Sequence, residues 1–431
     1  MMKRNSVRSC RLLLSAIFLF TATVLLGGCG KKPTVNPTPR PTWTITPGQP
    51  VGYADAATVP QTPAATRMAT PLTTAMPDQT YLPIQRHPGE SPLPTPTTGI
   101  ATTTTPSPTP TPTATPFPPG PPSKLGVFVG RNDPQVFDLL KTGNLAVVKT
   151  LEYDANFVTE IKRTDPDVFL VARYTPLPLP NFDAWDPIVE AHKFAELIIP
   201  IATDPQRLAA IDCWEAYNEP VIVNEAQMAS YARFEAARTR LLAEAGIASC
   251  IGNFGTGQPA LELWPAFYPA LQAARAHGGY LALHEYAAPY LWFGSGVNQN
   301  NPAADEGDEG WLTLRYRKVY RTYLQPAGLA IPLVITEAGV DGLVGNRPGP
   351  GSARGWQDFA PFWRSEGAVG NTDFGFYMEQ LAWYDAELQK DEYVIGAAIF
   401  ALAGPAGWQS YEIGGPWLAI FKQYLSVHPP Q

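Results

Sequence analysis

Residues 124–431 of this chain predict an α/β protein, a (β/α)8 TIM barrel. Three observations carry that expectation. Eight short apolar runs follow one another, each nearly continuous, as parallel strands buried on both faces are. Helical stretches separate them, and regular alternation of this kind closes a parallel sheet. Polar side chains collect where the runs end, which is the functional face of such a barrel. The stretch is long enough for one large core.

The runs can be justified in order. Leu125 to Val129 is the first, Leu145 to Lys149 the second and Val168 to Arg173 the third. Ala210 to Tyr217 is the fourth and Ile247 to Asn253 the fifth. Tyr280 to His284, Leu333 to Thr336 and Val394 to Leu402 complete the set. The clearest helix is Met228 to Ala243, with apolar residues at helical spacing and Gly246 just past its end.

The chain ahead of the barrel is different material. Met1 to Arg11 carries Lys3, Arg4, Arg8 and Arg11, and Leu12 to Leu26 is apolar. Leu26-Gly27-Gly28-Cys29 then supplies small residues before a cysteine. This arrangement describes an export signal. It resembles a bacterial lipoprotein signal, 1–28, which implies that Cys29 becomes the lipidated first residue. The other reading is a transmembrane anchor, but the apolar stretch is shorter than the ~20 residues a spanning helix needs. From Lys31 to Ser123, proline supplies 24 of 93 residues and threonine 23. Proline withholds backbone donors, and little apolar surface is available to bury. Residues 29–123 are therefore read as an extended, disordered Pro/Thr-rich tether that holds the barrel away from a membrane. The location expected is the cell surface, outside the cytoplasm, with a membrane reached through the lipid on Cys29.

Composition narrows the partners. A formal charge of −7 argues against nucleic acid. Of four cysteines, Cys10 and Cys29 belong to the leader. Cys213 and Cys250 fall on the fourth and fifth runs, which would be neighbours. An exported protein could join them, and two buried thiols are the equal alternative. Their spacing makes no metal site, and the five histidines are scattered. The expectation is a monomer without metal or cofactor.

Two strings carry the chemistry. Trp214-Glu215-Ala216-Tyr217-Asn218-Glu219-Pro220 and Val334-Ile335-Thr336-Glu337-Ala338-Gly339 each end an apolar run with a glutamate, with room between them for three strand–helix units. Two carboxylates delivered to one end of a barrel are what cleavage of a glycosidic bond needs. Lys149, Arg173, Asn253, His284 and Tyr286 stand at the ends of other runs. Polar strand ends simply reaching water would explain one or two of these, less well the whole set.

These residues resemble the glycoside hydrolase superfamily called clan A, whose acid/base glutamate ends strand four and whose nucleophile ends strand seven. Trp214-Glu215-x-x-Asn218-Glu219-Pro220, His284-x-Tyr286 and Thr336-Glu337-x-Gly339 are most similar to the cellulase-like family 5. The resemblance implies a retaining O-glycoside hydrolase acting on a polysaccharide or oligosaccharide. Glu219 would be general acid and then base, and Glu337 the nucleophile. Asn218 would bond the sugar 2-hydroxyl, and Tyr286 would donate to Glu337. His284 would bond the sugar or orient a carboxylate, and Arg173 or Lys149 would position Glu337. Glu215, of the same strand parity as Glu219, is read as structural, one layer deeper and paired with Lys149 or Arg173. The family's eighth strand commonly ends in a tryptophan that floors the first sugar subsite. Here Phe400 or Trp408 takes that place. Trp292, Phe293, Trp356 and Trp363, on long loops, are further candidates for stacking on sugar rings, with loop packing the plainer reading. Two alternatives stand beside the enzyme: a non-catalytic carbohydrate-binding protein on a decayed barrel, and a metal-dependent hydrolase on the same fold.

Overall fold

The eight strands form one parallel sheet in the order β4-β3-β2-β1-β8-β7-β6-β5. The structure, a computed structural model, describes residues 117–174, 178–295, 308–345, 347–367 and 373–430. The export signal, Cys29 and most of the tether lie outside the described residues. In chain order the elements are β1 (Leu125–Val129), α1 (Gln135–Leu140), β2 (Val147–Thr150), α2 (Ala155–Thr164), β3 (Phe169–Arg173), α3 (Pro187–Ala202), α4 (Pro205–Ala210) and β4 (Cys213–Glu215). Then come α5 (Glu225–Glu244), β5 (Cys250–Phe254), α6 (Trp264–Ala276), β6 (Tyr280–Ala287), α7 (Arg315–Val319) and β7 (Leu333–Val340). The chain finishes with α8 (Trp356–Ser365), α9 (Asp373–Leu388), β8 (Val394–Ala403) and α10 (Leu418–Ser426). Every strand is followed by helix, so the sheet is a (β/α)8 barrel.

The two end strands, β4 and β5, meet to close it. Their contact is a single backbone bridge, Trp214 with Ser249, with Trp214 N donating to Ala248 O at 3.0 Å. Side chains compensate for the thin ladder. Inside the barrel, Cys213 and Cys250 form a disulfide, with Cα atoms 5.6 Å apart. This settles the choice between bridge and free thiols. Outside, Arg238 of α5 donates to Trp214 O at 3.1 Å and to Cys250 O at 2.9 Å. Glu235 holds Arg238 at 2.6 Å and accepts from Gly252 N at 3.3 Å. The seam that carries the Asn218-Glu219 turn is thus held by α5. That helix begins at Asn224, whose side chain caps Gln227 N, and stops before Gly246 at φ 77°.

Strand residues facing outward, such as Val127, Val148 and Leu170, join the helices in the main core. Inward residues stack in layers, as barrel interiors do. Val147, Val171, Cys213, Cys250, Ala282, Val334 and Ala398 make an apolar lower layer. The next inward positions up the same strands are Lys149, Arg173, Glu215 and His284, and these carry the site.

Some boundaries differ from the sequence reading. β4 is shorter, because Ala210 ends α4 and the chain leaves the sheet after Glu215. β6 and β7 are longer, running to Ala287 and Val340, so Glu337 lies inside β7 and not at its end. Residues 117–123, read as tether, dock on the barrel. Phe117 packs edge-on to Tyr424 at 5.3 Å, and Gly120 N donates to Val427 O at 3.0 Å. Phe117 supplies the apolar anchor that the Pro/Thr sequence before it lacks.

Candidate active site

Two irregularities aim the carboxylates. On β7 the register with β6 steps from Leu283–Ile335 to His284–Glu337, so Thr336 is an extra residue on the bulged strand. Strict alternation would face Val334 inward and Glu337 outward. The bulge reverses this and turns Glu337 into the barrel. On the β4 side, Glu219 has φ 47°, in the left-handed region, and its amide donates to Asn253 O at 3.0 Å. Asn253 has φ 52° and sits in the register shift between β5 and β6. Its side-chain amide donates to Tyr217 O at 3.2 Å. Asn253 therefore acts on the backbone that presents Glu219. Gly255 makes room for the acid: a Cβ there would lie 3.1 Å from the Glu219 carboxyl carbon.

Glu337 is almost sealed, its side chain 8% exposed. Oε1 receives Arg173 Nη1 at 2.9 Å and Lys149 Nζ at 3.3 Å, and Oε2 receives the Tyr286 hydroxyl at 3.0 Å. Burial pushes this carboxyl up, but the charges of His284, Lys149 and Arg173 outweigh it and hold the group well below the usual carboxylate range. Below it, Lys149 is paired with Glu215 at 2.6 Å, both fully enclosed. Arg173 lies 4.0 Å from the same carboxylate. Burial would raise Glu215 too, and Lys149, Arg173 and His284 keep it lowered. Two cations and two carboxylates share this interior, which is how buried charge is tolerated. Glu215 is the deeper structural partner that its parity suggested.

Glu219 stands in the open, its side chain 42% exposed. One interaction aims it: His284 Nδ1 lies 2.7 Å from its Oε1. The same nitrogen is 3.6 Å from Glu337 Oε2, so His284 stands between the two carboxylates. Single ligand atoms of Glu219, His284 and Glu337 lie within 4.8 Å of one another. This is also the only group among the described residues with the composition of a metal site. The cations of Lys149 and Arg173 already neutralise Glu337, which leaves little charge to hold a metal ion. Asn218 is exposed beside the pair and accepts from Arg173 Nη1, so Arg173 spans both strand ends.

The eighth strand brings aromatic surface to the same mouth. Phe400 packs on Phe128 at 4.7 Å and edge-on to Tyr286 at 6.3 Å. Trp408, half-buried, meets Phe400 edge-on at 5.4 Å. Phe400 thus lies inside β8, short of its end at Ala403, and Trp408 lies against it. Trp356 and Trp363 are not available for stacking. Both are buried, with Nε1 donating to Tyr411 O and Pro289 O respectively. Trp292 is half-buried and packs edge-on against Phe376 and Trp383. All three are packing residues, Trp292 from a loop and Trp356 and Trp363 from helix α8. Sequence reasoning passed over Asp341 and Tyr411, which join above Phe400 with the Tyr411 hydroxyl donating to Asp341 Oδ1 at 2.7 Å. The signal was a carboxylate four residues past Glu337 on the same strand's continuation.

No protein-family model and no curated protein sequence matches the chain. Among solved structures, it is similar to a GH128 (subgroup II) endo-β-1,3-glucanase from Pseudomonas viridiflava. The identity is 14%, with 72% of this chain and 98% of that one covered and a TM-score of 0.36. It is also similar to a β-1,3-glucanase and allergen of Cryptomeria japonica pollen, at 16% identity, 67% and 95% coverage and a TM-score of 0.39. A β-D-glucuronidase from Dictyoglomus thermophilum follows at 10% identity, 71% and 51% coverage and a TM-score of 0.41. All three are named for cleaving glycosides. At such values the barrel and the site rest on this chain's own geometry.

Proposed function

We propose that this protein is a retaining O-glycoside hydrolase of the clan A arrangement, acting on a polysaccharide or oligosaccharide. The observation that carries the reading is the approach of the carboxylates, with one oxygen of Glu219 and one of Glu337 within 4.8 Å of each other. Retaining pairs stand about 5–5.5 Å apart and inverting pairs about 6.5–9.5 Å.

The environments assign the roles. Glu337, lowered by its cations and aimed by Tyr286, is the nucleophile. Its oxygen bonds to the anomeric carbon as the glycosidic bond breaks, and the proton of Glu219 goes to the leaving oxygen. Water then attacks the anomeric carbon, gives its proton to Glu219, and the ester bond to Glu337 breaks. Glu219 faces the open mouth, where leaving group and water pass in turn. His284 Nδ1 holds it in place for both steps. Asn218 is set to meet the sugar 2-hydroxyl, and Trp408 with Phe400 offers the flat apolar surface a sugar ring rests on.

The first-formed product decides the mechanism. A panel of β-glucans, mannan, xylan and aryl glycosides is incubated with the protein and the anomer released is followed by NMR. Retained configuration is expected, and inversion would overturn the reading. Sugar binding with no turnover on any member would favour the non-catalytic carbohydrate-binding alternative.

We also propose that Cys29 carries a lipid that tethers the barrel to the outside of a bacterial membrane. The leader sequence supports this, as does a buried disulfide of the kind that persists in oxidising compartments. Among the described residues no helix is long and apolar enough to cross a membrane. Globomycin should block processing of the precursor, and a precursor indifferent to the drug would end the proposal.

A further inference from the structure

Asp341 follows directly on β7. Its amide donates to Ala287 O at 3.2 Å, which sets it beside the end of β6 and next to Tyr286. Oδ1 takes two donors, Leu343 N at 2.8 Å and the Tyr411 hydroxyl at 2.7 Å. Oδ2 accepts no bond from the described residues and is not sealed from the surface. Burial pushes this carboxyl up, the bonds from Leu343 and Tyr411 oppose it, and the charge of Glu219 raises it again. Asp341 is therefore close enough to feel the acid/base, and Tyr286 feels Asp341 in turn.

Tyr411 links this acid to the aromatic shelf. Its ring meets Phe400 edge-on at 5.3 Å and Trp408 at 5.2 Å. A loop clasp needs only Oδ1. The other oxygen does nothing for the loop and is open to the surface, free to accept from a ligand hydroxyl that takes the place of water. Asp341 feels the charge of Glu219 and, through Tyr411, adjoins the aromatic surface of Phe400 and Trp408.

We propose that Asp341 is a specificity-determining residue, accepting through Oδ2 a hydrogen bond from one hydroxyl of the sugar unit that rests on Trp408 and Phe400. The inference rests on the glycosidase reading of the same mouth. A carboxylate only accepts, so it favours a hydroxyl at one ring position and disfavours its absence or inversion. The position selected lies on the β7–β8 side, away from Asn218 in the turn beyond β4. Tyr411 is the positioning residue that fixes Asp341.

The test compares Asp341→Asn with the wild type on an aryl glycoside that it hydrolyses and on that glycoside's monodeoxy analogues. The parent substrate should lose about 10- to 100-fold in kcat/KM, the range for one hydrogen bond to a charged group. The analogue lacking the recognised hydroxyl should lose almost nothing. Tyr411→Phe should reproduce the same selectivity more weakly. Equal losses on every analogue, or a moved pH profile without selectivity, would overturn the proposal. A second arm needs no turnover: calorimetric titration of Glu337→Gln and Glu337→Gln/Asp341→Asn with the parent sugar and its deoxy forms. A weakening confined to sugars that carry one hydroxyl supports Asp341 even if the wild type cleaves nothing, in which case the glycosidase reading alone fails. Binding that ignores Asp341, or no sugar binding at all, sinks the inference.

Discussion

The turn beyond β4 and the interior of β7 each present a glutamate, and they treat it in opposite ways. Glu337 is held inside a bulged strand, 8% exposed, with Arg173, Lys149 and Tyr286 on its oxygens. Glu219 sits on a left-handed turn beyond a short strand, 42% exposed, with His284 as its partner. One environment stabilises permanent charge. The other leaves a carboxyl open to whatever enters the mouth. Two identical side chains thus sit in different electrostatic surroundings, and it is this difference on which the proposed division into acid and nucleophile rests.

The strongest way to break this comparison is to neutralise each partner in turn. Glu337→Gln should abolish turnover on all substrates, by about 10⁴-fold or more, because no second group can form the ester. Glu219→Gln should be selective. Substrates with poor leaving groups should slow by about 10²–10⁴-fold, the usual contribution of a general acid, while those with good leaving groups keep their first step. Burst kinetics with aryl glycosides of graded leaving-group pKa would read both. Equal losses at the two positions would erase the distinction.

Lys149→Met probes the buried side alone. Removing one partner from a buried ionic cluster costs about 3–5 kcal/mol, visible as a fall in the unfolding midpoint. The pH dependence has a defined sign. Glu215 and Glu337 are lowered in the folded chain. Their contribution is present above the unfolded carboxylate value of about 4.3 and is lost as pH falls through the lower folded values. Without Lys149 those folded values rise, so acid unfolding should begin at higher pH. An unchanged acid limb would mean that Arg173 suffices.

The smallest effect sharpens the contrast from outside the barrel. Glu285, between His284 and Tyr286 on β6, points away from the site. Burial raises it to about 7, against bonds from Tyr384 and the amides of Tyr316 and Leu314. A raised carboxyl binds its proton more tightly when folded, so stability should decline as pH climbs from about 4.3 towards 7. Glu285→Gln should flatten that segment of the melting-temperature profile while leaving the pH dependence of turnover alone. A shift in turnover would couple Glu285 to the site.

Much of this was legible before any fold was known. Runs of Val, Leu and Ile with glutamate at their ends read as buried parallel strands opening on a polar face, because hydrophobic period and length are local properties. Glu219, Glu337, His284, Tyr286, Lys149, Arg173 and Asn218 do gather at one end of the barrel. Glu215 falls below them, as its parity implied. The tryptophans were harder. Trp356 and Trp363 lie in Gly- and Pro-rich sequence that suggests exposed loop, yet both are buried, since burial depends on what α8 packs against. Asp341 carried no motif, and its importance comes from Tyr411, seventy residues on, reaching back to it.

The sequence by itself determined the barrel, the two carboxylates and the cysteines that could meet across β4 and β5, because strand order in a barrel makes distant residues neighbours by counting. It did not determine which way Glu337 points. Alternation along β7 faces it outward, and only the bulge at Thr336, visible as a register step against β6, turns it in. Nor could it divide the charges. That Lys149 is shared between Glu215 and Glu337, while Glu219 faces the open mouth, follows from distances of a few ångströms set by eight strands closing together. Electrostatic energy depends on separation and burial, and those are fixed only when the barrel closes.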